Sequence, residues 1–466
     1  MALKPSIYQQ NLIDEAKLGT RHIVVSATAG SGKTTAIKLV VDSLDVPAEL
    51  IRIFVFGRAN AQDLKQKLNA RYSYAVSTIN SMGWSLLRRY LNIGHNKADI
   101  NRYKYQRIAQ NLGFIGNYRR QQGGSLVADK AIEKDGVFVK LIDFIRLSYV
   151  QPSLSSVSSI AKHFNLEVFK PGMVAEALEL VLETGEQHAS NDLVFDYVDQ
   201  IYLPVLWNIT GESSYTPYKY VLVDECQDLS PLELELIIRS IGNVGKLIFV
   251  GDEAQSCFGF KGADANSFQK IIERTNAIVL PLSVCYRCPL KHIKLVNQIF
   301  PDIDIREREK APEGLIKLID HKFAESSLKA GDLVICRNTA PLVRVCIRLL
   351  SKNIHATVLG RNIGDGLKSE IKQASEIKGF EYRKLESYLQ DLYISKVDKY
   401  KELENFEELQ EALTDKHSAI NAIVKTQVQC NSVQSLCDYI DNLFSDKASP
   451  IQLSTIHKAK GLEADR

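Results

Sequence analysis

Nine consecutive residues, Ala27-Thr28-Ala29-Gly30-Ser31-Gly32-Lys33-Thr34-Thr35, have the types and spacing that hold phosphate. The short apolar run Ile23 to Ser26 precedes them, and a helical pattern begins within them. Backbone N–H groups around Gly30 to Lys33 wrap phosphate oxygens at such a strand-to-helix turn. The lysine of such a loop reaches the β/γ oxygens and the hydroxyl after it holds Mg²⁺. Here those residues are Lys33 and Thr34, so a nucleoside triphosphate is the expected ligand.

Carboxylates of the matching kind appear later. Val221-Leu222-Val223-Asp224-Glu225-Cys226-Gln227-Asp228 reads as an apolar strand ending in acids. Phosphoryl transfer to water needs one acid on the metal and another on the attacking water. Asp224 suits the first role and Glu225 the second. Val250-Gly251-Asp252-Glu253-Ala254-Gln255 repeats the strand-then-turn device and offers Gln255 as a γ-phosphate or water sensor. Phe258, Phe260 and Lys261 follow it closely, an aromatic–cation set suited to stacked bases. In Leu282-Ser283-Val284-Cys285-Tyr286-Arg287, Arg287 is placed to meet a γ-phosphate and Tyr286 to stack on the base.

The chain has 466 residues, net charge +3, 45% hydrophobic and 24% charged residues, ordinary values for a soluble protein of two or more domains. The bulk charge does not announce a nucleic-acid binder, but a local patch does. Between Arg88 and Lys130 there are nine Lys/Arg against Asp99 and Asp129, interleaved with Tyr90, Tyr103, Tyr105, Phe114 and Tyr118. Such a patch suits phosphates and stacked bases, with Arg102, Lys104 and Arg107 as phosphate contacts; a solvated helix face is the even alternative. Met1 to Gln10 has no apolar leader core and no apolar run is long enough for a bilayer, so a cytoplasmic setting is expected. The eight cysteines fit a reducing compartment. Cys285 and Cys288 lack a second pair at matching spacing, and the expectation is two unrelated thiols.

The elements that must carry these residues read as strands and helices in alternation. Strands are expected at Ile23–Ser26, Ile51–Phe56, Tyr220–Val223, Leu247–Val250 and Ile278–Leu280, with helices at Lys33–Ser43 and Ala61–Asn69. This is the rhythm of a parallel α/β sheet, interrupted by a helical stretch from about Tyr90 to Asn191. A charged connection, Arg306 to Lys310, leads to a second run: Asp332–Cys336, Pro341–Ser351, Ala356–Leu359, a helical stretch from Gly360 to Ser449, and a last strand at Ile451–Ser454.

Taken together, the blocks resemble superfamily 1 DNA helicases of the UvrD/Rep/PcrA type. The wording ATAGSGKTT, VDECQDLSPLELELI and YRCP also resembles the F-box DNA helicase branch and its phage relatives. The resemblance runs from Gln9 to Glu463. It implies an α/β P-loop NTPase with two RecA-like parallel-sheet domains, each with a helical insertion. The first would comprise 1–90 and 191–282, with its insertion at 91–190. The second would comprise 283–359 and 450–466, with its insertion at 360–449.

The same resemblance assigns Gln9 to adenine, Phe56 to bases, and Thr455, His457, Lys460, Gly461 and Leu462 to the late motif that couples the second domain to DNA and nucleotide. Glu463 would contact the ribose. The chain departs from the family pattern at Gly57-Arg58-Ala59-Asn60, at Asn80 where His is common, and at Cys285 where Asn is common. An ATP- and Mg²⁺-dependent 3′→5′ helicase or translocase on single-stranded and duplex DNA is implied, in a bacterial or phage-infected cell. The family's last arginine-rich motif is not found before Arg466, which reads as a chain cut before that motif. The alternative reading is an ATP-gated single-stranded-DNA-binding module without turnover. A P-loop ATPase acting on protein or RNA is a weaker third.

Overall fold

A computed structural model describes residues 5–464 apart from 95–96, 117, 121–125, 129–131, 133–134, 165, 169, 210–217, 257–266, 321–326, 401–405, 428 and 445–449. The chain divides into two compact units, Met1–Ile316 and Lys317–Arg466.

The first unit is built on a six-stranded sheet. Its strands are β1 (Ile23–Ala27), β2 (Ile51–Phe54), β3 (Val76–Ser77), β4 (Tyr218–Asp224), β5 (Ile241–Gly251) and β6 (Ile278–Leu282). Their order across the sheet is β6-β1-β5-β4-β2-β3, and every pairing is parallel. Strands covered on both faces need unbroken apolar runs, which Ile23-Val24-Val25 and Val221-Leu222-Val223 supply. One face packs Ile37, Val40 and Val41 from helix α2 (Lys33–Ser43); the other packs Leu232, Leu236 and Phe268.

The N-terminal helix α1 (Ile7–Leu18) starts with a reciprocal capping box between Ser6 and Gln9. At its far end the buried Lys246 ammonium donates to the carbonyls of Glu15, Ala16 and Gly19. A cation there complements the helix dipole and ties α1 to β5. Gln9 is thereby held against the sheet edge rather than left on a loose terminus.

The stretch after β3 is largely helical, as the sequence implied. Helices Lys104–Asn111, Asp135–Ser148, Leu154–His163 and Pro171–Asn191 close around their own core of Ile108, Phe138, Leu141, Ile145, Leu178 and Val181. A buried ionic cluster lies at its base. Arg146 donates to Asp196 (2.7 and 3.0 Å) and Asp199 (3.0 Å) and stacks over the Tyr105 ring at 3.9 Å. Lys104 meets Asp199 at 2.6 Å, and the Tyr105 hydroxyl donates to Asp199 at 2.7 Å.

This cluster corrects one sequence expectation. Lys104 and Tyr105 were placed in a nucleic-acid patch, yet both are buried and spent on Asp199. Arg102, Tyr103 and Arg107 of the same patch are exposed. Arg102 and Tyr103 precede the helix Lys104–Asn111, whereas Lys104 at its first position is drawn inward by Asp199, a distant partner that composition alone does not reveal.

The second unit has a three-stranded parallel sheet of β7 (Leu333–Cys336), β8 (Ala356–Val358) and β9 (Ile451–Thr455), in the order β7-β9-β8. Helix Thr339–Ser351 packs Leu342, Val343 and Cys346 into a core shared with Leu367, Ile371, Ile420 and Ile440. Residues 361–444 and the small sheet therefore bury one continuous apolar surface.

Candidate nucleotide site

The site is assembled at the C-terminal ends of β1, β4 and β5, where open parallel sheets bind ligands. β1 leads into the loop Ala27–Gly32 and α2 begins at Lys33. Thr28 is buried and its hydroxyl donates to the carbonyls of Leu282 and Ser283. Gly30 and Gly32 both have positive φ, +68° and +81°. A Cβ on Gly30 would stand 2.7 Å from Arg287 Cβ and 2.9 Å from Cys285 Sγ, so only glycine fits. No side chain caps the N-terminus of α2. Ser31 is fully buried, and its hydroxyl has no hydrogen-bond partner among the described residues. A bare helix N-terminus, two left-handed glycines and an orphaned hydroxyl together fit a phosphate chain.

Lys33 Nζ lies 3.0 Å from Glu225 Oε2. Glu225 follows Asp224 at the end of β4 with a left-handed backbone (φ 54°, ψ 44°), which turns its carboxylate back toward the loop. Gln227 Nε2 donates to the same Glu225 oxygen at 2.6 Å, while Gln227 Oε1 accepts the Asp252 N–H at 3.0 Å. Asp252 in turn accepts from Gln255 Nε2 at 2.6 Å. Thus Lys33, Glu225 and Gln255 are brought together through Gln227 and Asp252. Sequence reasoning missed the last two as connecting residues. The glutamine in Asp224-Glu225-Cys226-Gln227-Asp228 was the available signal, since a polar side chain that is almost fully buried must have partners.

Asp224 accepts the Glu225 N–H at 3.0 Å. Burial, with Glu225 close by, raises its pKa to about 7 despite the opposing Lys33 charge. A cation beside it would hold the ionised form. Ionising this group in the fold therefore costs stability. Below the ordinary aspartate value both folded and unfolded chains are protonated and no penalty exists. The penalty grows as pH rises from about 4 to about 7 and is constant above. Asp224→Asn is expected to raise the unfolding free energy at pH 7.5 by on the order of 1–3 kcal/mol, with the gain gone by pH 4. Urea titrations at the two pH values check this; equal gains at both would remove the ionisation argument.

On the nucleotide side, Gly32 is flanked by Gln9 and Tyr286. An added Cβ there would stand 3.7 Å from Gln9 Nε2 and 3.9 Å from the Tyr286 ring. The Tyr286 N–H donates to the Gly30 carbonyl at 2.9 Å, and the Arg287 stem lies against Gly30. Ala27, Ala29, Thr34 and Thr35 complete the loop and the first turn of α2.

Phe56 lines a separate cleft of about 1090 Å³, with Thr78, Asn80, Trp84 and Tyr197. Asn80 Nδ2 holds the Tyr197 carbonyl at 3.0 Å, and Tyr197 is 57% exposed, so the cleft presents three aromatic side chains, Phe56, Trp84 and Tyr197, from separate segments. Gly83 permits this. A Cβ there would fall 1.9 Å from the Gln200 carbonyl, so only glycine lets helices Ile79–Tyr90 and Asp199–Leu206 approach. Tyr197 was not among the sequence-stated contacts. Phe258, Phe260 and Lys261 lie outside the described residues.

Thr455, His457 and Glu463 belong to the second unit. Thr455 is buried at the end of β9 and accepts the N–H groups of Lys458 and Ala459, starting a turn that exposes His457 and Glu463.

A family model described as the UvrD/REP helicase N-terminal domain matches residues 9–276. The chain belongs to this family. The match contains the phosphate loop, both acidic strand ends and the Phe56 cleft. Among curated proteins, the UvrD/Rep-type chain is 23% identical over 278 residues to F-box DNA helicase protein 1 of Schizosaccharomyces pombe, covering 56% of this chain and 29% of that one. It is 25% identical over 307 residues to a probable DNA helicase II homolog of Mycoplasma capricolum, covering 61% and 40%. It is 22% identical over 290 residues to the ATP-dependent DNA helicase Rep of Escherichia coli, covering 59% and 40%. The chain thus spans well under half the length of these relatives. The α/β P-loop fold expected from the sequence agrees with the six-stranded parallel sheet. Among the described residues no helix is long and apolar enough to cross a membrane.

Proposed function

We propose that the chain is the nucleotide-binding part of an ATP-dependent 3′→5′ DNA helicase or translocase. The observation that carries this reading is the connected set Lys33–Glu225–Gln227–Asp252–Gln255 beside an uncapped helix N-terminus. When bound, ATP with Mg²⁺ supplies a phosphoryl group for transfer to water. Thr34 and Asp224 would hold the cation, and Gly30 to Lys33 the phosphates. Gln9 and Tyr286 would frame the base.

Glu225 orients the attacking water and takes its proton at Oε1 or Oε2, while Lys33 and Gln227 keep that carboxylate aimed. Gln255 reads the terminal phosphate and is linked through Asp252 and Gln227 to Glu225. Arg287 meets the charge that develops on transfer. Single-stranded DNA would lie along the cleft of Phe56, Trp84 and Tyr197, its bases stacked on the rings. Within the second unit, Thr455 and His457 would be its own DNA contacts.

ATP hydrolysis measured with and without single-stranded DNA tests the proposal, with strand displacement from 3′- and 5′-tailed duplexes as the second readout. DNA-stimulated turnover and 3′-tail preference are expected. Nucleotide-dependent DNA binding without turnover would replace the enzyme with a gated binding module, and RNA-only stimulation would overturn the substrate class.

A further inference from the structure

Cys285 and Cys288 were expected to be unrelated thiols; the fold instead puts them in direct contact. Cys285 Sγ accepts the Cys288 N–H at 3.3 Å. Cys285 is buried against Ile293 and Ile305, whereas Cys288 is half-buried at the wall of a cavity of about 200 Å³. That cavity is also lined by Ala29 of the phosphate loop and by Asp252 and Gln255. The two residues between the sulfurs are Tyr286 and Arg287, and the Cys285 sulfur, with Arg287 Cβ, is what a Cβ on Gly30 would strike.

We propose that Cys285 and Cys288 form a reversible dithiol–disulfide site whose oxidation by a low-molecular-weight disulfide reshapes the Tyr286-Arg287 turn and weakens nucleotide binding. The second half rests on reading the adjoining loop as the nucleotide site.

Three other thiols have the opposite character. Burial pushes Cys226 well up, Cys346 up to about 12, and Cys437 up. Hydrogen bonds from Cys288, then from backbone N–H groups, together with the nearby Arg287 charge, bring Cys285 down to about 6 against the effect of burial. A dithiol sharing one proton at neutral pH is poised for exchange. Cys288, the accessible sulfur, attacks one sulfur of glutathione disulfide as thiolate and expels one glutathione thiolate. Cys285 thiolate then attacks the Cys288 sulfur, forming the internal S–S bond and expelling the second glutathione thiolate. Two electrons pass from the dithiol to glutathione disulfide; the shared proton moves onto Cys285 as Cys288 attacks, then onto the first released glutathione thiolate, and water protonates the second.

An S–S bond needs the sulfurs about 2.05 Å apart. Closing it draws Cys285 Sγ and the enclosed turn off Gly30, and the Tyr286 N–H bond to the Gly30 carbonyl is strained with it.

The test equilibrates the full chain with reduced and oxidised glutathione at set ratios. Alkylation and peptide mass spectrometry map the thiols, and a fluorescent ATP analogue reports affinity. A 285–288 disulfide is expected, with affinity at least about tenfold lower and restored by dithiothreitol. Cys288→Ser should bind like the reduced chain at every ratio. Absence of that disulfide, or its formation with affinity unchanged, overturns the proposal. Failure of the fully reduced chain to bind the analogue instead overturns the nucleotide reading; it is seen before oxidant is added, and the thiol mapping then decides the disulfide on its own.

Discussion

Replacing Arg146 by methionine is expected to destabilise the first unit by about 3–5 kcal/mol. The side chain is fully buried, and its guanidinium satisfies Asp196 and Asp199 while the ring of Tyr105 covers its face. Methionine fills similar space but leaves two buried carboxylates with Lys104 as their remaining buried cation. The loss therefore comes from stranded charge rather than from a cavity. Urea denaturation of the two chains reads the difference directly. Arg146→Met combined with Asp196→Asn should recover part of it, because Asp199 then keeps Lys104 as its partner and the stranded Asp196 charge is gone. A single variant within about 1 kcal/mol of the parent would show that water or rearrangement satisfies the carboxylates.

Lys33→Ala is expected to lower DNA-stimulated ATP hydrolysis by about 10²–10³-fold. Lys33 is the cation of the phosphate loop and the partner of Glu225 at 3.0 Å. Its removal takes charge from the phosphates and one of the contacts that aim the Glu225 carboxylate. Glu225→Gln separates the two consequences. It leaves Lys33 in place, so nucleotide affinity should hold while turnover falls. Steady-state hydrolysis beside equilibrium binding of an ATP analogue distinguishes them. Turnover within tenfold of the parent in Lys33→Ala would remove this lysine from the chemistry.

The strand–loop–helix unit of the candidate nucleotide site was legible because it is local. Strand, glycines, lysine, hydroxyl and helix start follow one another within a dozen residues, and the helix Lys33–Ser43 stands where the sequence put it. The strands were legible in position and less so in extent. Ile241–Gly251 begins six residues before its expected start because polar Asn243, Gly245 and Lys246 interrupt the apolar run. Lys246 is there to cap α1, a partner more than two hundred residues away. The same limitation hid the ionic cluster. Lys104 and Tyr105 read as a surface patch until Asp199, ninety-five residues further on, accounts for them. Gln227 and Tyr197 escaped notice for a related reason, since each matters through partners on other segments.

The order of the large sheet has a consequence for how the molecule comes into being. β1 carries the phosphate loop, yet both of its neighbours, β5 and β6, come roughly two hundred or more residues later in the chain. Only after Leu282 has left the ribosome does β1 have an edge on either side. At ordinary synthesis rates that interval is roughly 10–50 s. Until β5 is made, Ile23-Val24-Val25 has neither of its sheet partners, while β2 and β3 already lie close enough in sequence to pair. The nascent chain therefore makes its most conspicuous motif first and its support last. Chaperone occupancy during translation should concentrate on that early segment, where a long wait meets an open strand edge.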